Sequence, residues 1–348
     1  MYETAGRAMT YHVYVTVMGE GRIARFSMDE DTGALTPGVD VALSGRPAPI
    51  ALSPDRRVMH VARREANKIT SYAIESGSGN LTELGTIPID SDPCYMATDR
   101  TGRYLLSAYY LAETAAVHGV DDNGAAIYPP IEWLHTGRGA HCFQTDRSNK
   151  FAFVPHIDGN GAPNAIFQFR FDDATGRLIP NDPPRMLQKV ATGPRHFCFH
   201  PTMDIVYVSN EQGCGVSVYA FDATAGTLGH RQTISTLPEE WLGVSKCSQI
   251  QITPCGRYVY APNRGHNSIA EFAVNDADGL LSAIGHVEAE TAPRAFAIDP
   301  AGKFLLSAGL ESGRLATYRI DGGSGRLERI ATRDLGESPM WVTIIPAT

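Results

Sequence analysis

The residues of this chain best suited to chemistry are a histidine, a glutamate and two arginines that fall at matched positions of a repeating pattern. His141 and Arg195 share one column of the repeat, the residue following a leading proline or its equivalent. The column also holds Ala48, Cys94, Ser248, Arg294 and Met340. Glu211 and Arg264 share a second column, at the end of the next apolar run, with Met18, Arg64, Tyr110, Ile157 and Leu310. An acid–base pair flanked by two guanidiniums suits an anionic or carbonyl substrate, because one group moves a proton while the arginines hold developing negative charge. Arg64, Tyr110 and Arg294 are expected at the same rim as substrate contacts. His156, Asn210 and Asn263, each one residue before the second column, and His196, one after the first, are expected as supporting contacts. A structural alternative exists for each: Glu211 and Arg264 could be an ion pair between neighbouring repeats, and His141 an ordinary turn histidine. The coincidence of four ionisable groups in phase favours a shared site.

Other chemistries find no support in the spacing. His196 and His200 lie four residues apart on an extended run, roughly 13 Å, too far to chelate one metal. No third ligand accompanies His156 and Asp158. There is no G-x-S-x-G elbow, no P-loop and no G-x-G-x-x-G after a strand. Cys142, beside His141, should point the opposite way by strand alternation, which disfavours a Cys–His nucleophile. No metal or cofactor is therefore expected.

The elements that must position these residues are strands. Pro-led apolar runs rich in Val, Ile, Tyr and Phe recur with turns of Gly, Asn and Asp between them, as in GPRHFCFHPTMDIVYVSNEQGCGVSVYAFDATAGTL and SKCSQIQITPCGRYVYAPNRGHNSIAEFAVNDADGLL. The period is about 48 residues, the length of a four-stranded propeller blade. The N-terminal copy, YHVYVTVMGEGRIARF, lacks its first strand, and the C-terminus, GESPMWVTIIP, is a first strand with nothing after it. Joined, they complete a blade. The expectation is an all-β, seven-bladed β-propeller of four-stranded antiparallel blades, closed by the C-terminal strand pairing with the N-terminal blade, with residues 1–10 a flexible tail and 11–348 one domain. The start of a first strand and the end of a second lie on one face, so both columns converge on one mouth of the central channel.

Composition narrows the partners. Thirty Lys+Arg against 38 Asp+Glu give a net charge of −8, a poor match for nucleic acid or anionic membranes. No apolar run is long enough to span a bilayer, the first ten residues lack a signal-peptide core, and six cysteines without secreted-scaffold spacing read as reduced thiols. A cytoplasmic protein acting on a small molecule is expected; its oligomeric state is not legible.

At GAHCFQTD, GPRHFCFHP, YVSNEQG and GRYVYAPNRGHNSI, the chain resembles the seven-bladed propeller lactonases of the bacterial 6-phosphogluconolactonase type, a family that includes fungal-type muconate lactonising enzymes. The resemblance spans essentially residues 11–346. It implies that His141, Arg195, Glu211 and Arg264 form the active site, and that the substrate is a lactone such as 6-phosphogluconolactone or a related aldonolactone. A muconate cycloisomerase and a non-catalytic interaction scaffold are the alternatives. Two departures from the family pattern, Gln249 and Gln251 in SQIQ and the stretch PHIDGNG, are expected near the channel mouth. Glu211 or His141 could take the proton of the attacking water, the other then serving as acid to the leaving alkoxide; neutral His141 is preferred as the base, since a glutamate beside arginines normally has a low pKa.

Overall fold

A computed structural model describes residues 10–159 and 161–347. The expected tail falls outside these residues, except Thr10, which already belongs to the first strand. The strands of the described residues form seven antiparallel sheets around a central channel, with one 3-10 turn, Met18–Glu20, as their only helical element. Blade one is a composite. Its inner strand, Pro339–Pro346, comes from the C-terminus and pairs with Thr10–Val17, from Tyr11 opposite Pro346 to Val15 opposite Val342. This pairing leaves neither Thr10–Val17 nor Pro339–Pro346 without a neighbouring strand.

Blades two and three run from Pro47–Leu52 to Leu81–Pro88 and from Tyr95–Thr98 to Glu132–His135. Blade four comprises Gln144–Thr145, Phe151–His156, Ala165–Asp172 and Arg177–Leu187; blade five Pro194–Phe199, Ile205–Asn210, Gly215–Asp222 and Thr227–Ser235. Blade six has a divided inner strand, Lys246–Cys247 and Gln251–Ile252, followed by Tyr258–Arg264, Ser268–Val274 and Leu281–Glu288. Blade seven runs from Pro293–Ile298 to Leu327–Asp334.

Middle strands are apolar on both faces because each blade is packed between two others. In blade five, Ile205 and Tyr207 pack toward blade six with Val259 and Phe272, while Val206 and Val208 pack toward blade four with Phe153 and Ile166. Strand alternation thus feeds two cores from one sequence run, and each such side chain contributes about 1.5–3 kcal/mol on burial. Around the channel, side chains lace neighbouring inner strands together. Ser248 Oγ donates to Pro293 O at 2.7 Å, Gln144 Nε2 to Phe197 O at 3.2 Å and Thr98 Oγ1 to Leu52 O at 2.7 Å. Gln249 and Gln251 belong to this lacing. Gln249 Oε1 accepts from Phe296 N–H, and Gln251 grips both Phe296 O and Ile298 N–H. Gln251 therefore braces blade six against blade seven, a correction to its expected place at the mouth.

Candidate functional site

Local backbone features aim each site residue. His141 precedes the inner strand of blade four and is anchored by its own N–H donating to Pro155 O at 3.0 Å. Arg195 and His196 sit on a bulge: Pro194 pairs with Asn210 but Phe197 with Val208, so one extra residue breaks the register. A bulge re-aims side chains that alternation would send to opposite faces, and here both Arg195 and His196 turn toward the channel. Glu211 follows the second strand, its N–H donating to Gly193 O at 2.7 Å. Gly193 itself needs its positive φ of 68°, and a Cβ there would collide with Gln212. Arg264 ends its strand before Gly265, whose φ of 117° and closeness to Val244 O leave no room for a side chain.

The four residues converge on one carboxylate oxygen. Arg195 Nε donates to Glu211 Oε2 at 2.7 Å, Arg264 Nη2 lies 3.1 Å from the same atom, and His141 Nε2 approaches it to 3.9 Å. Arg195 is 2 % exposed and Glu211 6 %. Arg195 Nη1, Arg264 Nε, His141 Nδ1 and the neighbouring His196 Nε2 are buried polar atoms with no hydrogen-bond partner among the described residues. Unpaired buried donors and acceptors cost about 1–3 kcal/mol apiece. At this channel mouth they are donors and acceptors that water or a ligand could bond.

Electrostatics assign protonation states. Burial is the largest influence on His141 and drives its pKa well below the ordinary histidine value, reinforced by Arg195, His196 and Arg294; the imidazole is neutral at pH 7. His196 is neutral for the same reasons. Burial alone would raise the Glu211 carboxyl, but Arg195, Arg264 and Arg294 together outweigh it, and its pKa is lowered. The 3.9 Å approach of His141 to Glu211 is therefore a neutral imidazole facing a carboxylate, not an ion pair. Arg294 forms no hydrogen bond or ion pair among the described residues. Burial and the neighbouring Arg195 and Arg264 bring its pKa down to about 9. Arg64 is half-buried and paired with Asp92 at 2.5 Å, and Tyr110 meets the His141 ring edge-on, with centroids 5.7 Å apart.

Three expected contacts are corrected. His156, Asn210 and Asn263 are fully buried and turn into their blades. His156 is engaged at both ring nitrogens, by Val154 O and Thr136 Oγ1. Asn210 Nδ2 donates to Ser217 Oγ, and Asn263 bonds Thr236 and Ser268. The reason is alternation: in a strand, the residue preceding one that faces the channel rim faces away from it.

The floor of the site is an aromatic cluster in which the expected contact His196 is joined by two residues that sequence reading passed over. Tyr95 and Trp341 meet the His196 ring, with centroids at 5.0 and 6.3 Å, and each other at 5.7 Å. All three hold the position after the first column, so the signal lay one residue beyond the column compared. Above this floor, Arg195, His196, Arg294, Gln249 and Cys94 border a cavity of about 10 Å³, room for one water at most. Below it, a cavity of 530 Å³ opens toward the opposite face, beside Tyr95, Trp341, Arg100 and Gln144. Its volume exceeds that at the mouth, but the convergent ionisable groups are above the floor. Among the described residues, no three His, Cys, Asp or Glu side chains are grouped to hold a metal ion.

The family model for the lactonase, 7-bladed beta-propeller, matches residues 12–344. A 6-phosphogluconolactonase of Serratia proteamaculans is 33% identical over 315 residues, covering 90% of this chain and 93% of the relative. One from Yersinia pestis is 32% identical over 336 residues, covering 97% and 98%. Among solved structures, the Pseudomonas aeruginosa periplasmic gluconolactonase PpgL superposes with a TM-score of 0.89 at 24% identity, over 97% of this chain and 100% of that one.

Proposed function

The chain belongs to the seven-bladed β-propeller lactonase family, and on that premise we propose that it hydrolyses a sugar lactone, 6-phosphogluconolactone or a related aldonolactone, at the His141–Arg195–Glu211–Arg264 mouth. The observation that carries this reading is the neutral, half-unpaired imidazole of His141 set against an ionised Glu211 and guanidiniums with unpaired N–H groups.

Ester hydrolysis in a lactone needs a deprotonated water, a stabilised oxyanion and a proton for the departing ring oxygen. With Nε2 turned to Glu211, the unpartnered Nδ1 of His141 accepts the proton of the attacking water. The tautomer follows from the carboxylate, which attracts N–H rather than a lone pair. The resulting imidazolium is stabilised by Glu211 and returns its proton to the ring oxygen as the C–O bond breaks, leaving an aldonate. Glu211 stays ionised throughout; its carboxyl is too acidic to serve as the proton donor. Arg195 and Arg264, fixed by Glu211, direct their free N–H groups at the carbonyl oxygen, the kind of donor worth about 3 kcal/mol of barrier. Arg294, without a hydrogen-bond or ion-pair partner among the described residues, takes the substrate's phosphate or hydroxyl-bearing tail; with only five lysines in the whole sequence, an anion clamp here is built from arginine. The six unpaired cysteines suit a reducing compartment such as the cytoplasm.

The test is proton release from 6-phosphogluconolactone, glucono-δ-lactone and a muconolactone in parallel, with spontaneous hydrolysis subtracted. Turnover of the first two supports the proposal. Turnover of the muconolactone alone assigns the site to lactone-forming chemistry, and no turnover leaves the propeller a binding scaffold.

A further inference from the structure

Behind Glu211 and Arg264 lie two cysteines that the proposed chemistry does not use. Both depart from the repeat at facing positions. In the turn after the second strand, the left-handed position is held by Gly21, Asn67, Asn267 and Gly313 in blades one, two, six and seven, and by Glu113 in blade three; in blade five it is Cys214, with φ 44°. Cysteine has none of the tolerance for this conformation that glycine or asparagine brings, and pays about 1 kcal/mol for it. Cys247 stands where Pro47, Pro93, Pro194, Pro293 and Pro339 lead other blades.

The two departures meet. Both reach one carbonyl: Cys247 N–H donates to Glu211 O at 3.1 Å, and Cys214 Sγ lies 4.0 Å from the same oxygen. Cys214 Sγ also donates to Ser245 O at 3.1 Å, and Cys247 Sγ lies 3.0 Å from Thr236 Oγ1. Cys214 is half-buried and reachable, whereas Cys247 is sealed. The backbone around them holds the site: Cys247 O accepts from Arg264 Nη2 at 2.7 Å, and Cys247 N–H donates to Glu211 O at 3.1 Å.

We propose that Cys214 and Cys247 are an oxidation site, forming a reversible intrachain disulfide with a peroxide as oxidant. The Cys214 thiolate attacks one peroxide oxygen, the O–O bond breaks, and Cys214 becomes a sulfenic acid as hydroxide leaves. Cys247 sulfur then attacks Cys214 sulfur; the S–S bond forms, and the sulfenic oxygen departs with the Cys247 proton as water. Two thiols and hydrogen peroxide become one disulfide and two waters, the sulfurs giving up two electrons. Cys214 is the attacking sulfur because it is the reachable one, and the neighbouring Cys247 lowers its pKa toward thiolate. Linking the thiols draws the turn after Glu211 toward the strand that supports Arg264, and displacements near 1 Å at such a site cost about 100-fold in rate.

The experiment is mass spectrometry of the intact protein after hydrogen peroxide treatment, with peptide mapping. The expected result is a loss of about 2 Da, mapped to a Cys214–Cys247 link, reversed by dithiothreitol, retained in Cys255→Ser and abolished in Cys214→Ser. A Cys214 carrying stable sulfinic acid without a link, or linkage only between chains through exposed Cys255, overturns it. This readout does not involve lactone, so its failure is separate from a failure of the hydrolase reading. In the lactone assay, linked protein should lose turnover about tenfold or more, while Cys214→Ser keeps its activity under peroxide; unchanged turnover in fully linked protein overturns the coupling to the site.

Discussion

Glu211→Gln removes one charge and almost no volume, and the structure says what that charge does. Its Oε2 faces Arg195 Nε at 2.7 Å and Arg264 Nη2 at 3.1 Å, inside a setting where Arg195 is 2 % exposed. With charge centres about 4 Å apart and an effective dielectric near 20, each pairing is worth about 4 kcal/mol before desolvation is counted. The arginines have already lost their water, so removing the carboxylate leaves them uncompensated, and breaking such a buried pair costs about 3–5 kcal/mol. Glutamine can still accept from Arg195 Nε, which places the expected loss of folding stability near 3 kcal/mol. Arg195, Arg264 and Arg294 then repel one another without a counter-charge, and the His141 imidazolium loses its stabilising neighbour. Turnover should fall about 100-fold. Urea unfolding followed by circular dichroism and lactone-dependent proton release, on the same preparation, read both quantities. A variant within 1 kcal/mol of the parent (below the ~3 kcal/mol expected) and within about threefold of its turnover would refute the idea that this carboxylate organises the site.

Three further outcomes follow from the same geometry. Because burial holds the His141 pKa well below the ordinary histidine value, kcat/KM should stay level from pH 8 down to about 6; an acid limb centred near 6.5 points to a solvent-exposed base instead. His60 and His156 are buried neutral, with pKa values brought down by burial to about 4. Their folded values lie below the unfolded value, so the unfolded chain takes up protons first as pH falls, and each should cost about 2 kcal/mol between pH 7 and pH 5. Urea midpoints at the two pH values check this, and a pH-independent midpoint contradicts it. Arg294→Ala should raise KM for 6-phosphogluconolactone at least tenfold while changing that for glucono-δ-lactone much less, since a charge-assisted contact to phosphate is worth about 1.5–3 kcal/mol; equal effects on both lactones remove Arg294 from phosphate recognition.

The repeat made the architecture legible. Half-blades at the two ends, YHVYVTV and SPMWVTII, predict the pairing of Thr10–Val17 with Pro339–Pro346 because an unpaired central strand has no stable alternative. Comparing columns also predicts which residues share a mouth, since equivalent positions of a ring lie at equal height. What the columns could not carry was the local departure from regular strand geometry. The bulge between Pro194 and Phe197 turns both Arg195 and His196 to the channel, whereas a strict period of two sends them apart. The opposite error concerned His156, Asn210 and Asn263. Their polarity suggested substrate, but strand alternation points them at hydroxyls and carbonyls within their own blades. Gln251 likewise has an inter-blade role that only tertiary contacts reveal.

In the proposed lactone hydrolysis, His141 moves the proton at this mouth. Its most direct test is the rate of proton release from 6-phosphogluconolactone at saturating concentration by His141→Ala beside the parent protein, with matched unfolding curves. His141→Ala should lose about 100-fold or more in kcat with the fold retained; turnover within about threefold of the parent rules out His141 as the base.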